Sequence, residues 1–379
     1  MKKFVFQPIL LTCVLIQLSY SLLGQNKDSL EFKYPQNYFR SPLDIPLLLA
    51  GNYGEIRSNH YHAGIDIKTE GVEGKNVYAA ADGYVSRIKI SEGGYGKALY
   101  ITHPNGYTTV YAHLKRFNDT IEQYVRKQQY LKESYEIELF PPKNSLKVKK
   151  GDIIAVSGNT GGSGGPHLHF EIRETDTEVP INPLLFGFDI KDDIPPIIKH
   201  LTIYPIDDTS FVNRRSRPKR YALSGSNGKY SLSATPEVKG IIGFGIEVID
   251  KLNGSNNRCG IYSIDLTIDG DTIYRHHIED IPFHKTRYIN CHVDYEAWKK
   301  DGIKTQRCYR LPNNQLDFYD KLKYNGLYMF TDDSVHEVRF IVKDTYQNTS
   351  ELVFNVKSST AKIQPFPQDV DSTKVYQFM

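Results

Sequence analysis

The sequence predicts a mainly β chain of two antiparallel β domains, the second of them an immunoglobulin-like β-sandwich. Three observations predict it. Short runs along the 379 residues alternate apolar and polar side chains with the two-residue period of strands. Turn residues such as Asp269-Gly270 separate those runs. A rigid, charged stretch, Asp192-Asp193-Ile194-Pro195-Pro196, divides the chain into a histidine-bearing first part, 25–190, and a second part, 195–358.

The chain opens with Met1-Lys2-Lys3 and an apolar run from Phe4 to Leu23, the pattern of a secretory signal peptide over 1–24 with cleavage near Gly24. Lipidation at Cys13 is a weaker alternative, because Thr12 suits the preceding position poorly and the apolar run continues past it. No later stretch holds the roughly 18 apolar residues that a spanning helix needs. The net charge of +3 makes no case for nucleic acid.

The next landmark is His62-Ala63-Gly64-Ile65-Asp66, where Gly64 and the Ile65, Ile67 alternation favour an extended segment over a helical turn. His60 sits at even spacing from His62, so a shifted register would present it instead. Glu55, Glu70 and Glu73 are expected to be solvated. The runs 77–85 and 148–155 resemble the strand pairs of lipoyl- and biotinyl-carrier domains, but no turn lysine is evident to carry a prosthetic group. In Gly106 to Leu114 the alternation sets Tyr107, Thr109, Tyr111 and His113 on one strand face. An insertion at 117–147 contains a short amphipathic helix with Asp119 as its N-cap and Ile121, Tyr124, Val125 and Gln128 at helical spacing. That helix either walls a groove or packs on the sheet, the second being the commoner arrangement. Gly158 to Gly165 lacks the Gly-Lys-Ser/Thr ending of a phosphate loop and precedes a strand, so it is expected to be a flexible loop at a cleft rim. From Pro166 to Arg173 the alternation is strict, with His167, His169, Glu171 and Arg173 on one face.

Together, His62, Asp66 and His169 offer a metal ion two imidazoles and a carboxylate, leaving one position open for water, as in catalytic zinc sites. Such a site predicts a hydrolase. Glu171 continues the strand face and is placed to orient a ligand imidazole.

The ordered set His-x-Gly-x-Asp, Tyr-Ala-His-Leu, Lys-Lys-Gly-Asp-Ile-Ile-Ala-x-Ser-Gly-Asn-Thr-Gly and Gly-Pro-His-Leu-His-Phe-Glu-Ile-Arg resembles the M23 family of zinc metallopeptidases, the lysostaphin and LytM-type peptidoglycan endopeptidases, from about Pro46 to Phe186. The resemblance implies a LytM-type antiparallel β-sheet domain and one Zn2+ per chain on His62, Asp66 and His169, and it selects His62 over His60. It implies His113 and His167 as the two catalytic histidines that do not bind metal. The implied substrate is the peptide cross-link of peptidoglycan, and the exported two-domain layout favours the diaminopimelate type and the periplasm or envelope of a Gram-negative bacterium. Some relatives lack activity, so the alternative is a protein that binds wall peptide or activates another hydrolase.

In the second part Ile264, Leu266 and Ile268 alternate before Asp269-Gly270, and Val338, Phe340, Val342 and then Leu352, Phe354, Val356 alternate around a turn at 344–350. The polar stretch Asn213 to Tyr230 is expected to be a long loop, and 359–379 an extended tail. Cys259, Cys291 and Cys308 can form one disulfide, with Cys291 to Cys308 the expected pair. No ligand is assigned to this domain; an envelope protein partner is one role expected of it.

Overall fold

The structure is a computed structural model that describes residues 33–143 and 145–360. The leader expected at 1–24, Cys13 and nearly all of the 359–379 tail lie outside the described residues. The described residues from 37 onward form one compact unit, within which the sheets fall into two groups, called here the first and second domains.

The first domain runs through β1 (Leu49–Gly51), β2 (Ile65–Lys68), β3 (Asn76–Tyr78), β4 (Gly83–Ile90), β5 (Lys97–Thr102), β6 (Tyr107–Ala112), β7 (Leu114–Phe117), α1 (Asp119–Lys132), β8 (Ile137–Leu139), β9 (Lys147–Val148), β10 (Ile153–Ser157), β11 (His167–Glu174) and β12 (Pro180–Ile181). Its main antiparallel sheet has the order β1-β2-β11-β6-β5-β4-β8, and β3-β10-β7 forms a smaller sheet. In β11 Leu168, Phe170 and Ile172 are wholly buried, which stabilises by about 1.5–3 kcal/mol for each large apolar side chain. The opposite face is not solvated either: His169, Glu171 and Arg173 are also buried. The period of two separates apolar from polar, while neighbouring side chains decide what water reaches.

Helix α1 lies within the insertion, with Ile121 and Val125 buried. Its N-cap is Asn118, not Asp119, because the Asn118 side chain accepts the Ile121 amide at 3.0 Å and Asp119 is already helical. The Gly158–Gly165 loop is fastened rather than free. The Gly162 amide donates to Gly94 at 2.8 Å, and a Cβ on Gly161, where φ is +74°, would stand 2.3 Å from the Gly96 amide nitrogen.

The second domain comprises β13 (Ile197–Pro205), β14 (Phe211–Val212), β15 (Lys219–Ala222), β16 (Ser224–Ser226), β17 (Lys229–Ser231), β18 (Glu237–Ile249), β19 (Ser263–Ile268), β20 (Asp271–His277), β21 (Thr305–Arg307), β22 (Tyr319–Leu322), β23 (Tyr328–Phe330), β24 (Val335–Lys343) and β25 (Thr349–Ser358). They close round one apolar core containing Leu201, Phe244, Leu266, Phe340 and Phe354. The Asp269-Gly270 hairpin forms as expected, with positive φ at both residues. The stretch 213–230 is not a single loop. It contains β15 and β16 and runs into β17, and β17 pairs in parallel with β25, so the domain is not purely antiparallel. The expected Cys291–Cys308 disulfide is absent: all three described cysteines are free, and Cys308 is sealed in the apolar core while Cys291 is only half-buried.

The two domains are joined through the segment that leads to His62. The Asn52 side chain donates to the Gly260 carbonyl at 2.8 Å and accepts the Gly260 amide at 2.7 Å. Tyr53 and Tyr61 share an apolar cluster with Ile278, Ile289, Val293 and Phe318.

His113 departs from the expected strand. Pairing of β11 with β6 sets His169 opposite Ala112, and Phe170 opposite Tyr111, so Tyr111 belongs to the core face. Strict alternation would have sent residue 113 to that face also. Instead His113 takes φ +59°, interrupts the chain between β6 and β7, and turns its ring toward His167 and His169. A left-handed conformation costs an L-residue about 1–2 kcal/mol, a penalty that glycine avoids. His113→Gly is therefore expected to be more stable than His113→Ala by about 1 kcal/mol in denaturant unfolding, and an equal or more stable alanine variant contradicts this backbone assignment.

Candidate metal centre

Antiparallel pairing of β2 with β11 places Asp66 directly opposite His169. His62 precedes β2 in an irregular segment whose course depends on Gly64: a Cβ there would lie 2.4 Å from the Phe170 carbonyl oxygen and 3.1 Å from His169 Nε2. Any larger residue would push His62 and Asp66 away from β11. His60 is exposed, with its ring bonded to the neighbouring Asn59 at 2.8 Å, so the buried histidine of the pair is His62.

Three atoms converge. His62 Nε2 lies 3.0 Å from His169 Nδ1 and 3.1 Å from Asp66 Oδ1, and His169 Nδ1 lies 2.8 Å from Asp66 Oδ1. Bonds of about 2.0–2.1 Å to a tetrahedral zinc ion imply donor separations of about 3.3 Å, so a modest expansion of this triangle fits such an ion. Among the described residues, these side chains form one of two groups with donor atoms close enough to share a cation.

The outer hydrogen bonds determine which nitrogen of each ring faces inward. His62 Nδ1 donates to the Asn52 carbonyl at 2.8 Å, and a carbonyl can only accept, so its inward Nε2 carries a lone pair. His169 Nε2 donates to Glu171 Oε1 at 2.8 Å, which leaves its Nδ1 lone pair facing Asp66. Two lone pairs and a carboxylate oxygen thus face one another in a buried space, an arrangement that repels unless positive charge sits among them.

Without an ion, a proton on His169 Nδ1, donated to Asp66 at 2.8 Å, supplies that charge, and a bound cation would displace it. Burial opposes charge on His169, but hydrogen bonds to the carboxylates of Asp66 and Glu171 outweigh it and push the imidazole up to about 9. For His62 burial dominates and lowers the value despite Asp66, because its outer partner is a neutral carbonyl and not a second carboxylate. Burial also works against ionisation of Asp66, yet the surrounding histidines hold it well below the usual carboxylate range.

His113 and His167 flank this group. Their rings are 4.7 Å apart by centroid, and His167 Nε2 approaches Asp66 Oδ1 at 3.5 Å. His113 Nδ1 donates to the Thr160 carbonyl and His167 Nδ1 to the Gly165 carbonyl, each at 2.8 Å, so both outer contacts come from the fastened glycine loop. Burial, with the charge of His169 next, lowers His113 to about 4. All five residues singled out from sequence stand in one site.

Glu171, expected to orient a ligand imidazole, is joined by Arg57, Tyr95 and Asn52, which carry no sequence signal. Arg57 donates to Asp66 Oδ2 at 2.6 Å and also meets Glu55 at 3.3 Å, so Glu55 is a half-buried ion-pair partner and not the solvated acid expected; Glu70 and Glu73 pair with Lys75 and Lys115 near the surface. Glu171 is held by Arg173 at 2.6 Å and by the Tyr95 hydroxyl. The charge of Arg173 and the hydrogen bond from His169 overcome burial and hold Glu171 down at about 2, and Phe283 of the second domain lies 4.6 Å below the Arg173 guanidinium. Asn52 supplies the His62 acceptor from its backbone while its side chain grips Gly260.

Residues 60–137 and 141–183 match the family described as Peptidase family M23. The DD-carboxypeptidase/endopeptidase Mpg of Neisseria meningitidis is 35% identical over 123 residues, which cover 32% of this chain and 22% of that protein. The murein hydrolase activator NlpD of Salmonella dublin is 34% identical over 161 residues, covering 42% of this chain and 34% of that one. The chain thus spans between about a fifth and a third of the length of these relatives. The solved catalytic domain of the antimicrobial peptidase lysostaphin from Staphylococcus simulans is 23% identical, covering 36% of this chain and 90% of that one at a TM-score of 0.28.

Removal of a partner that orients a ligand imidazole typically costs about 10- to 100-fold in metal affinity. Glu171→Gln is accordingly expected to weaken zinc binding by about that factor in a chelator-competition titration, and unchanged affinity excludes an orienting role for Glu171.

Proposed function

We propose, from the match of residues 60–137 and 141–183 to peptidase family M23, that this chain is an exported zinc metalloendopeptidase that hydrolyses peptide cross-links of peptidoglycan. The observation that carries the proposal is the inward-facing triangle of His62 Nε2, Asp66 Oδ1 and His169 Nδ1, with edges of 2.8–3.1 Å. Those residues would hold the ion. Zinc in a three-residue site supplies a nucleophilic water near neutral pH and polarises the scissile carbonyl.

The remaining chemistry belongs to the chain. His113 is held neutral with its Nε2 lone pair facing the triad, so it can take a proton from the attacking water and pass it to the leaving amine. His167, less buried and with its ring against that of His113, would stabilise the developing oxyanion or exchange roles with it. Arg57 withdraws charge from Asp66, and Glu171 adds it to His169, so the two ligands are tuned in opposite senses. The preferred substrate is the D-alanine to diaminopimelate cross-link, in the periplasm or envelope of a Gram-negative bacterium. Among the described residues no helix is long and apolar enough to cross a membrane.

The second reading is a non-catalytic protein that holds wall peptide or activates another hydrolase. It is favoured by the name of one group of relatives, murein hydrolase activator. The complete set of donors and flanking histidines favours catalysis.

Purified protein is expected to contain one tightly bound zinc and to release soluble muropeptides from sacculi, with release abolished by a chelator and restored by zinc. His169→Ala is expected to lose zinc, because two remaining ligands make a poor site. His113→Ala and His167→Ala should keep zinc and lose about 10²- to 10⁴-fold in turnover. Zinc-loaded protein that binds sacculi without releasing fragments overturns the peptidase assignment and leaves the activator reading standing.

A further inference from the structure

A second group of acidic side chains lies where the chain passes from the first domain to the second. Asp192 belongs to the connecting segment, Asp250 follows β18, and Asp344 follows β24. One carboxylate oxygen from each lies within 4.8 Å of the other two. Asp250 and Asp344 are buried and Asp192 is half-buried.

The hydrogen-bond partners of these groups are uncharged amides and, for Asp192 and Asp344, each other's carboxyl. The Asn348 amide and side chain donate to Asp344 at 2.9 and 2.8 Å, and the Ile194 amide donates to Asp192 at 3.2 Å. Asp250 is only 1 % exposed, yet its Oδ1 has no hydrogen-bond partner. An orphaned carboxylate oxygen at that depth is costly, and two more carboxylates beside it raise the cost. The Tyr346 hydroxyl is likewise buried without a partner and lies in the field of Asp192 and Asp344. Burial and mutual repulsion push Asp192 up to about 7 and Asp250 up to about 9, and burial raises Asp344. The charges acting on Asp192 and Asp250 are other aspartates.

We propose that Asp192, Asp250 and Asp344 form a calcium site that fastens the connecting segment to the second domain. The donors are all oxygen, from carboxylates that can bind through one or both atoms, as hard cations require, and none is the nitrogen or sulfur that zinc prefers. Two oxygens on opposite sides of a calcium ion stand about 4.6–5.2 Å apart, so a group confined within 4.8 Å can surround one. The ligands come from three separate segments, and the Asn348 side chain also donates to the Asp192 carbonyl at 3.1 Å. Binding would therefore hold 192 against the ends of β18 and β24 and set the attitude of the two domains. This site is separate from the histidine triad in residues and in donor chemistry.

The test uses the zinc-loaded chain at pH 7.5, titrated with calcium in a calorimeter and followed by thermal unfolding. One equivalent is expected to bind saturably and to raise the melting temperature. Asp250→Asn and Asp344→Asn should each weaken binding by about tenfold or more, since affinity in such sites follows ligand charge. His169→Ala should bind calcium as the unaltered chain does, which separates this site from the zinc triad. If a variant fails to fold, the calcium-dependent rise in melting temperature of the unaltered chain still decides. The proposal is overturned by the absence of saturable binding below about 10 mM calcium, or by binding indifferent to both substitutions. It is equally overturned if calcium leaves the melting temperature unmoved while Asp250→Asn raises it, the mark of carboxylates that share protons.

Discussion

The register between β2 and β11 is the constraint on which the site depends. Asp66 faces His169 across one antiparallel rung, and a slip of one residue would turn every polar side chain of β11 into the apolar core. Leu168, Phe170 and Ile172 prevent that slip, since each is wholly buried on the other face. Hydrophobic packing on one side of the sheet thus sets the positions of the candidate metal-binding atoms on the other. Gly64 adds the local condition, keeping the backbone close enough for His62 to complete the triangle.

With both imidazoles neutral, the inward atoms of the triad would all accept and repel one another, so the site calls for a cation or, without one, a proton on His169. Its surroundings explain why it nevertheless holds together. Glu171, tied to Arg173 and Tyr95, orients His169, while Arg57 takes the second oxygen of Asp66. Each buried charge has a counter-charge, as burial at this depth demands. The same economy is missing at Asp250, where the orphaned oxygen is the reason to look for a cation there.

The second domain takes part in the site and is not a passive appendage. It reaches His62 through Gly260 and the side chain of Asn52, whose own carbonyl orients the imidazole. It reaches Glu171 through Phe283 beneath Arg173. Tyr53 and Tyr61 bury their rings in its apolar cluster, so displacing the domain would expose them and release the segment that carries His62. Domain attitude and ligand geometry are mechanically linked by these contacts.

Much of this was legible beforehand. The two-residue period of β11, the hairpin at Asp269-Gly270 and the strands that carry Val342 and Val356 were readable because each is a local pattern that burial of one face enforces. The five site residues were readable through their motifs. What stayed hidden depended on contacts distant in sequence: Arg57 and Asn52 sit in segments without pattern, and within 213–230 β15 forms on the edge of β13 and β17 on that of β25. The disulfide guess failed because spacing says nothing about Cys308 being enclosed by the core. His113 shows the division most clearly. Sequence determined that a histidine would stand at the end of β6, but alternation alone would have aimed it into the core. Only the tertiary structure decided its direction, since a positive φ is affordable where Thr160 and the neighbouring imidazoles hold the ring in place.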